Sequence, residues 1–491
     1  MLPMRIQIDP RPVQLRHARH YIALAAEAQN QYLKGGEHAG VGLSLFDRDR
    51  NNLDVAHLWL CTQAFGTNTD DLLISEANAT AHIGELRYSI LHERIPQLEA
   101  ALAAAIRLQR YHAAGWFLSN LGNAFADLGD ARTAINFYQH HLRVAREIGD
   151  RHGEGAALGN LGTAYKNLGD VAKAVSYYEQ HLLVAREIGD RHGEGAALGN
   201  LGTAYKNLGD VSKAIDCYQR SLDILREFGD RRAEGNALGN LGLAYAARGE
   251  FHRAMDLYEQ QLTITHMLGD QHGEAQALGN MGLTCRSLGD TGRAIILHEQ
   301  HLALARELNN RRGMSLALGN LGAAYAALGE VAKALDLYQQ ALSLMRTLGD
   351  RRAEGQALGN IGNLYLSQGD TQRAIELYQQ RLALAREIGD RHGEAQVLGN
   401  LGVAYKNIGN VSQAIELYSQ RLTIARDLGD RRGEAETAWN YGLLLLDIGD
   451  VEQALSHLTD SLAFYEAIGH SRAALMSETI IRVRARHSLN V

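Results

Sequence analysis

RHGEGAALGNLGTAYKNLGDVAKAVSYYEQHLLVAREIGD, residues 151–190, is the stretch whose reading decides the fold. Asp150 precedes it as a helix N-cap, a side-chain acceptor for the free N–H groups of a first turn. A first helix, A, is predicted from about Arg151 to Leu168. Its apolar positions Ala157, Leu158, Leu161, Ala164, Tyr165 and Leu168 fall at helical spacing. Gly169 can take the left-handed conformation that ends a helix. Asp170 then caps a second helix, B, running to about Ile188 with the stripe Val171, Ala174, Val175, Tyr178, Leu182, Val184, Ala185 and Ile188. Gly189 stops it, and Asp190 starts the next helix. Gly162 and Ala174 are small where two helices must approach closely, with Tyr165 and Tyr178 filling the space between.

This unit recurs outward in both directions. From about residue 111 to 470 the text repeats every 40 residues without insertion or deletion. Asn stands at 120, 160, 200, 240, 280, 320, 360, 400 and 440. Gly follows two residues later each time, from Gly122 to Gly442, and a second Gly recurs from Gly129 to Gly449. Ala134 to Ala454 and Leu142 to Leu462 keep the same phase. Residues 144–171 reappear unchanged at 184–211, the mark of recent duplication. A lone helical hairpin cannot bury both of its faces, so neighbouring units must stack.

The text is similar to the tetratricopeptide repeat: Leu158, Leu161, Gly162, Tyr165, Ala174 and Tyr178 match that signature in order and spacing. The usual unit has about 34 residues, and the 40 here imply longer helices, as in Pins-type spindle adaptors and kinesin light chains, whose "LGNLG…Y…LGD…A…Y" text it resembles. The resemblance implies an all-α, right-handed superhelical solenoid of antiparallel helix pairs, with helix A on the inner surface. It is far more specific for fold than for partner.

Composition agrees with a repeat array. The 491 residues exceed one ordinary core. Only four Pro occur (Pro3, Pro10, Pro12 and Pro96) against 51 Gly, so everything after Pro96 is free to be helix and tight turn. A net charge of −7 gives no global attraction to nucleic acid or an anionic membrane. Cys61, Cys217 and Cys285 form no CxxC pair, which points to reduced thiols in a cytoplasmic protein. No signal-peptide run or bilayer-length apolar stretch is read.

The expected organisation is an N-terminal helical arm over 1–70, a degenerate capping repeat over 71–110, nine units over 111–470 and a capping helix over 471–491. In the degenerate unit Leu102 and Leu108 keep the helix B phases, but Thr80 replaces Asn and His82 replaces Gly. Residues 14–60 read as helical. The words "RHARHYIALAAEAQ" (16–29) and "FDRDRNNLDVAHLWL" (46–60) resemble the segment after the winged helix in bacterial STAND regulators, the AfsR and NB-ARC-like signalling ATPases, where a tetratricopeptide sensor follows. With no GxxxxGK[ST] phosphate loop, that resemblance implies a sensor half without its motor.

The repeated Asn is the leading candidate for function. Asn is a poor helix former, and its amide both donates and accepts. In related superhelices such as that of O-GlcNAc transferase, an Asn before Leu-Gly forms a ladder along a bound peptide. By resemblance Asn160, Asn200, Asn240, Asn280, Asn320, Asn360 and Asn400 would do the same; the competing reading is that they only set repeat stacking. One turn on, Asn123, Thr163, Thr203, Leu243, Leu283, Ala323, Asn363 and Val403 vary as specificity positions would. Lys166, Lys206, Arg286 and Lys406, with Asn167, Asn207 and Asn407 beside three of them, give basic spots at both ends around an apolar middle at Ala246 and Ala326. The partner expected is a protein or peptide with acidic residues flanking an apolar stretch.

The Gly-Asp-Arg turns read as caps, with Glu154 and Glu194 free to pair with nearby Arg. His152, His192, His272 and His392, and His141, His181 and His301 on helix B, read as solvated surface rather than metal ligands. No cofactor, metal site, Ser-His-Asp or Cys-His constellation is read, and Cys217 and Cys285 read as packing. The function expected is a non-enzymatic scaffold binding an extended segment. The alternative is a regulatory sensor module of a STAND-type ATPase, and RNA binding is disfavoured by the neutral middle.

Overall fold

The computed structural model describes residues 11–63, 66–468, 470 and 472–488. Among them every regular element is helical. The chain falls into two compact units, Met1–Glu250 and Phe251–Val491.

The first unit begins with α1 (Arg11–Leu33) and α2 (Glu37–Thr62), a hairpin turning at Lys34–Gly36. The helices touch so closely at Gly42 that a methyl group there would run into the Ala28 carbonyl and the Tyr32 backbone. Next come α3 (Thr67–Ala79), a short α4 (Ile83–Arg87), a π-helical turn at Ile90–Arg94 and α5 (Ile95–Arg107). Pro96 sits in the first turn of α5, where its missing N–H costs nothing. The buried Arg94 donates to the Thr80 hydroxyl at 3.1 Å, and Asp70 pairs with Arg107, tying α3 to α5. The repeats follow as α6 (Tyr111–Asp127), α7 (Ala131–Ile148), α8 (Arg151–Asn167), α9 (Val171–Glu187), α10 (Arg191–Asn207), α11 (Val211–Phe228) and α12 (Arg231–Ala247). The second unit continues with α13 (Phe251–Leu268), α14 (Gln271–Ser287), α15 (Thr291–Glu307), α16 (Arg311–Ala327), α17 (Val331–Leu348), α18 (Arg351–Ser367), α19 (Thr371–Glu387), α20 (Arg391–Asn407), α21 (Val411–Leu428), α22 (Arg431–Asp447), α23 (Val451–Ala467) and α24 (Ala473–Ser488).

Even-numbered helices from α6 to α22 are the A helices and the odd-numbered ones from α7 to α23 the B helices. From α6 onward, every helix of a unit packs on its neighbours in sequence within that unit. Inside a unit successive A helices also touch one another, whereas contacts between successive B helices are weaker or absent. The A layer is therefore the tighter, inner side of each stack.

The punctuation works as its chemistry dictates. The Asp150 carboxylate accepts from the Gly153 N–H at 2.9 Å, and Asp170 from the Lys173 N–H at 3.2 Å. Gly149 and Gly169 hold φ of 72° and 86°, which side chains rarely adopt. Inside a hairpin the decisive contact is Gly162 beneath the fully buried Tyr178 ring; a methyl at Gly162 would collide with it.

A charged seam joins one hairpin to the next. Arg146 at the end of α7 reaches Glu154 on α8 at 2.7 Å, and Arg151 binds the other oxygen of the same carboxylate. Arg186, Arg191 and Glu194 repeat it at 2.8 and 2.7 Å, as do Arg346, Arg351 and Glu354 at 2.8 and 3.1 Å. Burial works against ionised Glu194, but its two guanidiniums outweigh burial and hold it below the usual carboxylate range.

Two neighbouring glycines of α8 should respond oppositely to alanine. Gly162→Ala gains about 1 kcal/mol of helix propensity but displaces a packed ring, costing about 1–3 kcal/mol; a net loss is expected. Gly155 has only ordinary contact with His181, and its equivalents Ala275, Ala395 and Ala435 already carry the methyl. Gly155→Ala should stabilise by about 0.5–1 kcal/mol. Urea unfolding midpoints of the two variants check this pair.

Candidate peptide-binding surface

The A-helix face is built from residues two turns into each A helix, so the 40-residue period sets the repeated Asn side by side on successive helices of a stack. Asn160, Asn200, Asn240, Asn280, Asn320 and Asn400 are half-buried, and Asn360 is exposed. Each of these residues is thus at least partly exposed. Some also bridge repeats: Asn160 Nδ2 donates to Ser119 Oγ at 3.0 Å, and Asn400 Nδ2 to Asn363 Oδ1 at 3.1 Å. Asn280 Nδ2 is buried with no hydrogen-bond partner.

The next positions along helix A are partly engaged within their own hairpin. Tyr138 donates to Asn123 at 2.8 Å and Tyr378 to Asn363 at 2.6 Å, while the hydroxyls of Thr163 and Thr203 each lie 3.0 Å from Tyr178 and Tyr218. Where this position holds a polar group, it therefore anchors the core tyrosine.

The expected cations are dispersed. Lys166 and Lys206 are half-buried, and burial pulls the Lys206 ammonium below its ordinary value. Lys406 pairs with Asp447 at 2.8 Å. Arg286 is exposed and lines a cavity of about 350 Å³ with Asn320 and Asn360. Asn167, Asn207 and Asn407 are exposed last residues of their helices, seven positions beyond the Asn track, or about 10 Å along the axis.

The structure adds two residues that sequence reading missed. Arg381 on α19 and Arg421 on α21 reach from the B layer to the A face. There they line a cavity of about 590 Å³ with Asn360, Asn400, Gln396 and Asn440 from α18, α20 and α22. Each crosses over a helix A glycine: a methyl at Gly359 or Gly399 would collide with the guanidinium above it. Burial lowers the pKa of both groups. The signal was in the repeat itself, an Arg at a B phase directly opposite a helix A glycine.

That same phase corrects the reading of three histidines as solvated surface. His141 and His301 are buried and His181 half-buried, each with a buried Nδ1 that lacks a partner. Their rings fill the space left by the facing glycines, Gly115, Gly159 and Gly279. Burial lowers the pKa of all three.

A second correction lies at the N-terminal end, where a Cys-His pair does occur. His57 Nδ1 is 2.8 Å from the buried Glu76, and exposed Cys61 Sγ is 3.5 Å from His57 Nε2. Burial opposes the imidazolium, but its hydrogen bonds to Cys61 and Glu76 prevail and push His57 up to about 10. Cys61 is one turn after His57 on α2, while Glu76 comes from α3, so only the fold assembles the three. Cys217 and Cys285 are buried, as packing requires. Among the described residues no group of three or more His, Cys, Asp or Glu could hold a metal ion, and no helix is long and apolar enough to cross a membrane.

The tetratricopeptide repeat profile matches residues 111–187, 153–227, 194–265, 233–307, 313–387 and 393–467, well over half of the chain. The chain belongs to the tetratricopeptide repeat family. Such repeats are generally non-catalytic scaffolds of the kind used in protein–protein interaction. No curated protein matches this tetratricopeptide repeat chain in sequence. Among solved structures it is similar to the apo form of the quorum sensor NprR from B. thuringiensis, with 13% identity, 71% of this chain and 99% of that one covered and a TM-score of 0.51. It is also similar to a Signal Transduction ATPase with Numerous Domains with a tetratricopeptide repeat sensor from Pyrococcus horikoshii (13% identity, 94% and 74% covered, TM-score 0.48). BtubC (BKLC) from P. vanneervenii is 22% identical, with 45% and 93% covered and a TM-score of 0.43. At 13% identity the likeness to NprR is one of fold alone.

One buried histidine gives a pH test. His298 replaces the tyrosine found in seven of the nine repeats. It is fully buried, and neither ring nitrogen has a partner. Burial, then the nearby His301 and Arg286, push it down to about 4. The unfolded chain takes up this proton first, so stability is complete above about pH 6.5 and is lost as pH falls toward 4. Between about pH 7 and pH 4.5 the wild type should lose about 2–3 kcal/mol more than His298→Tyr, measured by urea unfolding at both pH values.

Proposed function

We propose that this tetratricopeptide repeat protein binds an extended protein or peptide segment along its A-helix face, the repeated Asn amides pairing with the guest backbone. The observation that carries this reading is that these Asn residues recur on successive A helices and that each is partly or fully exposed. An Asn in mid-helix costs propensity, and a solvent-facing amide does not recover that cost by packing. The bonds from Asn160 to Ser119 and from Asn400 to Asn363 show that the same side chain also braces the stack. A brace and a ladder are compatible, because an amide carries both donor and acceptor capacity.

The guest we infer is a polypeptide rather than nucleic acid or a bilayer. The chain is net acidic at −7, and Lys166, Lys206 and Lys406 of the A helices are partly buried or paired. The role is that of a scaffold in the cytoplasm, without catalysis. Affinity on such a surface comes from many modest hydrogen bonds and a few buried guest side chains.

Selection from a display library of random peptides provides ligands to test this. Asn200→Ala with Asn240→Ala should weaken the selected peptides about tenfold, as the loss of two hydrogen bonds implies. The unfolding temperature should move by only about 2 °C. Unchanged affinity in the double variant would refute the ladder.

A further inference from the structure

One helix B position differs in kind between repeats. Read along the nine units it holds His141, His181, Ser221, Gln261, His301, Ala341, Arg381, Arg421 and Ser461. A permanent cation occurs only in α19 and α21. Ala341 and Ser461 show that the hairpin closes without one. The charge is therefore not a packing requirement, and burying it has a cost the fold does not need to bear.

Charge bookkeeping around the cavity leaves a surplus. Arg381 donates to the neutral Gln396 Oε1 at 2.8 Å, and among the described residues no carboxylate lies within ion-pair distance of it. Arg421 Nη2 is 3.6 Å from Glu436 Oε2, and that carboxylate is shared with Arg432 at 3.2 Å. Arg421 is itself only 14% exposed. Nearby Asp390 is taken up by the Gly393 N–H and by Arg352 at 3.5 Å, and Asp430 by the Gly433 N–H. Two guanidiniums thus face one open cavity with a single, divided carboxylate between them. Because Arg432 takes a share of Glu436, the surplus lies between one and two positive charges, which an anionic guest group would offset. Arg presents a planar fork suited to two-point recognition of a carboxylate.

We propose that Arg381 and Arg421 form a specificity pocket for one acidic side chain, Asp or Glu, of the bound peptide, with Asn360 and Asn400 holding the flanking backbone. This rests on the peptide-binding reading of the A face and names the residue that sets register on it. Glycines at 359 and 399 are part of the pocket, because only a residue without a side chain lets the guanidiniums pass from the B layer to the guest.

The test uses peptides selected on the full chain from a random display library, then resynthesised in three forms: with the acidic residue, with its amide, and with phosphoserine in its place. Variants Arg381→Ala and Arg421→Ser install residues native to this phase in other repeats, and Arg381→Lys keeps charge while losing the fork. The expected result is an enriched acidic position whose conversion to amide weakens wild-type binding at least about tenfold, as loss of a charged hydrogen-bond pair implies. Arg381→Ala/Arg421→Ser should bind acid and amide forms alike, Arg381→Lys should fall between, and phosphoserine should not exceed the carboxylate. Selected peptides that depend on the Asn residues but show no acidic position, or equal acid preference in the double variant, would overturn this pocket and leave the ladder standing. Tighter binding of the phosphopeptide would overturn the carboxylate assignment. Failure to select any peptide would remove both.

Discussion

The architecture depends on one close approach repeated along the chain: a helix A glycine lying directly beneath a helix B aromatic ring. Gly162 under Tyr178 is typical, and Gly122 under Tyr138, Gly202 under Tyr218 and Gly402 under Tyr418 are the same contact. A glycine inside a helix is a liability in isolation. Here it brings the two helix axes together and lets a large ring be buried completely, which yields about 1.5–3 kcal/mol for a side chain of that size. The hydroxyl at the ring's far edge then reaches across to Asn123, Thr163, Thr203 or Asn363. One contact thereby sets the spacing inside the hairpin and fixes the side chains that border the open face. That is why the candidate site and the hairpin's structural contacts occupy neighbouring positions on helix A.

Much of the repeat region was legible in sequence because its determinants are local. The Gly-Asp punctuation sets the ends of α8 and α9 to within a residue of those read from it, since caps and left-handed glycines act over three or four residues. The N-terminal end was less legible. Residues 14–60 read as helical, but the break at Lys34–Gly36 and the tight crossing at Gly42 are products of α1 packing on α2. The short α4 and the π-helical turn are stabilised by buried Arg94, whose partners Thr80 and Ala81 are more than ten residues away.

The site divides along the same line. The Asn track could be read because it recurs at a fixed period and its face follows from helical geometry. Arg381 and Arg421 could not be found by looking for cations on helix A; they arrive from the other layer, and their reach depends on what stands opposite them. The histidines at the same phase were misread for the same reason, since a glycine across the interface turns a surface-like polar residue into a buried one. Cys61, His57 and Glu76 combine an (i, i+4) pair with a partner from another helix, and no pattern within a single helix reveals the third member.

The charged seam has an evolutionary corollary. At Glu154, Glu194, Glu234, Glu354 and Glu394 the carboxylate takes one guanidinium from the preceding hairpin and one from its own, so units of this type present matching half-sockets at their ends. Units of this type can then be gained or lost in register without stranding a charge. The unbroken identity of residues 144–171 with 184–211 is what such growth leaves behind. The length of the A-helix face becomes a quantity adjustable in steps of one hairpin, while a singular feature such as the arginine pair keeps its address within the array.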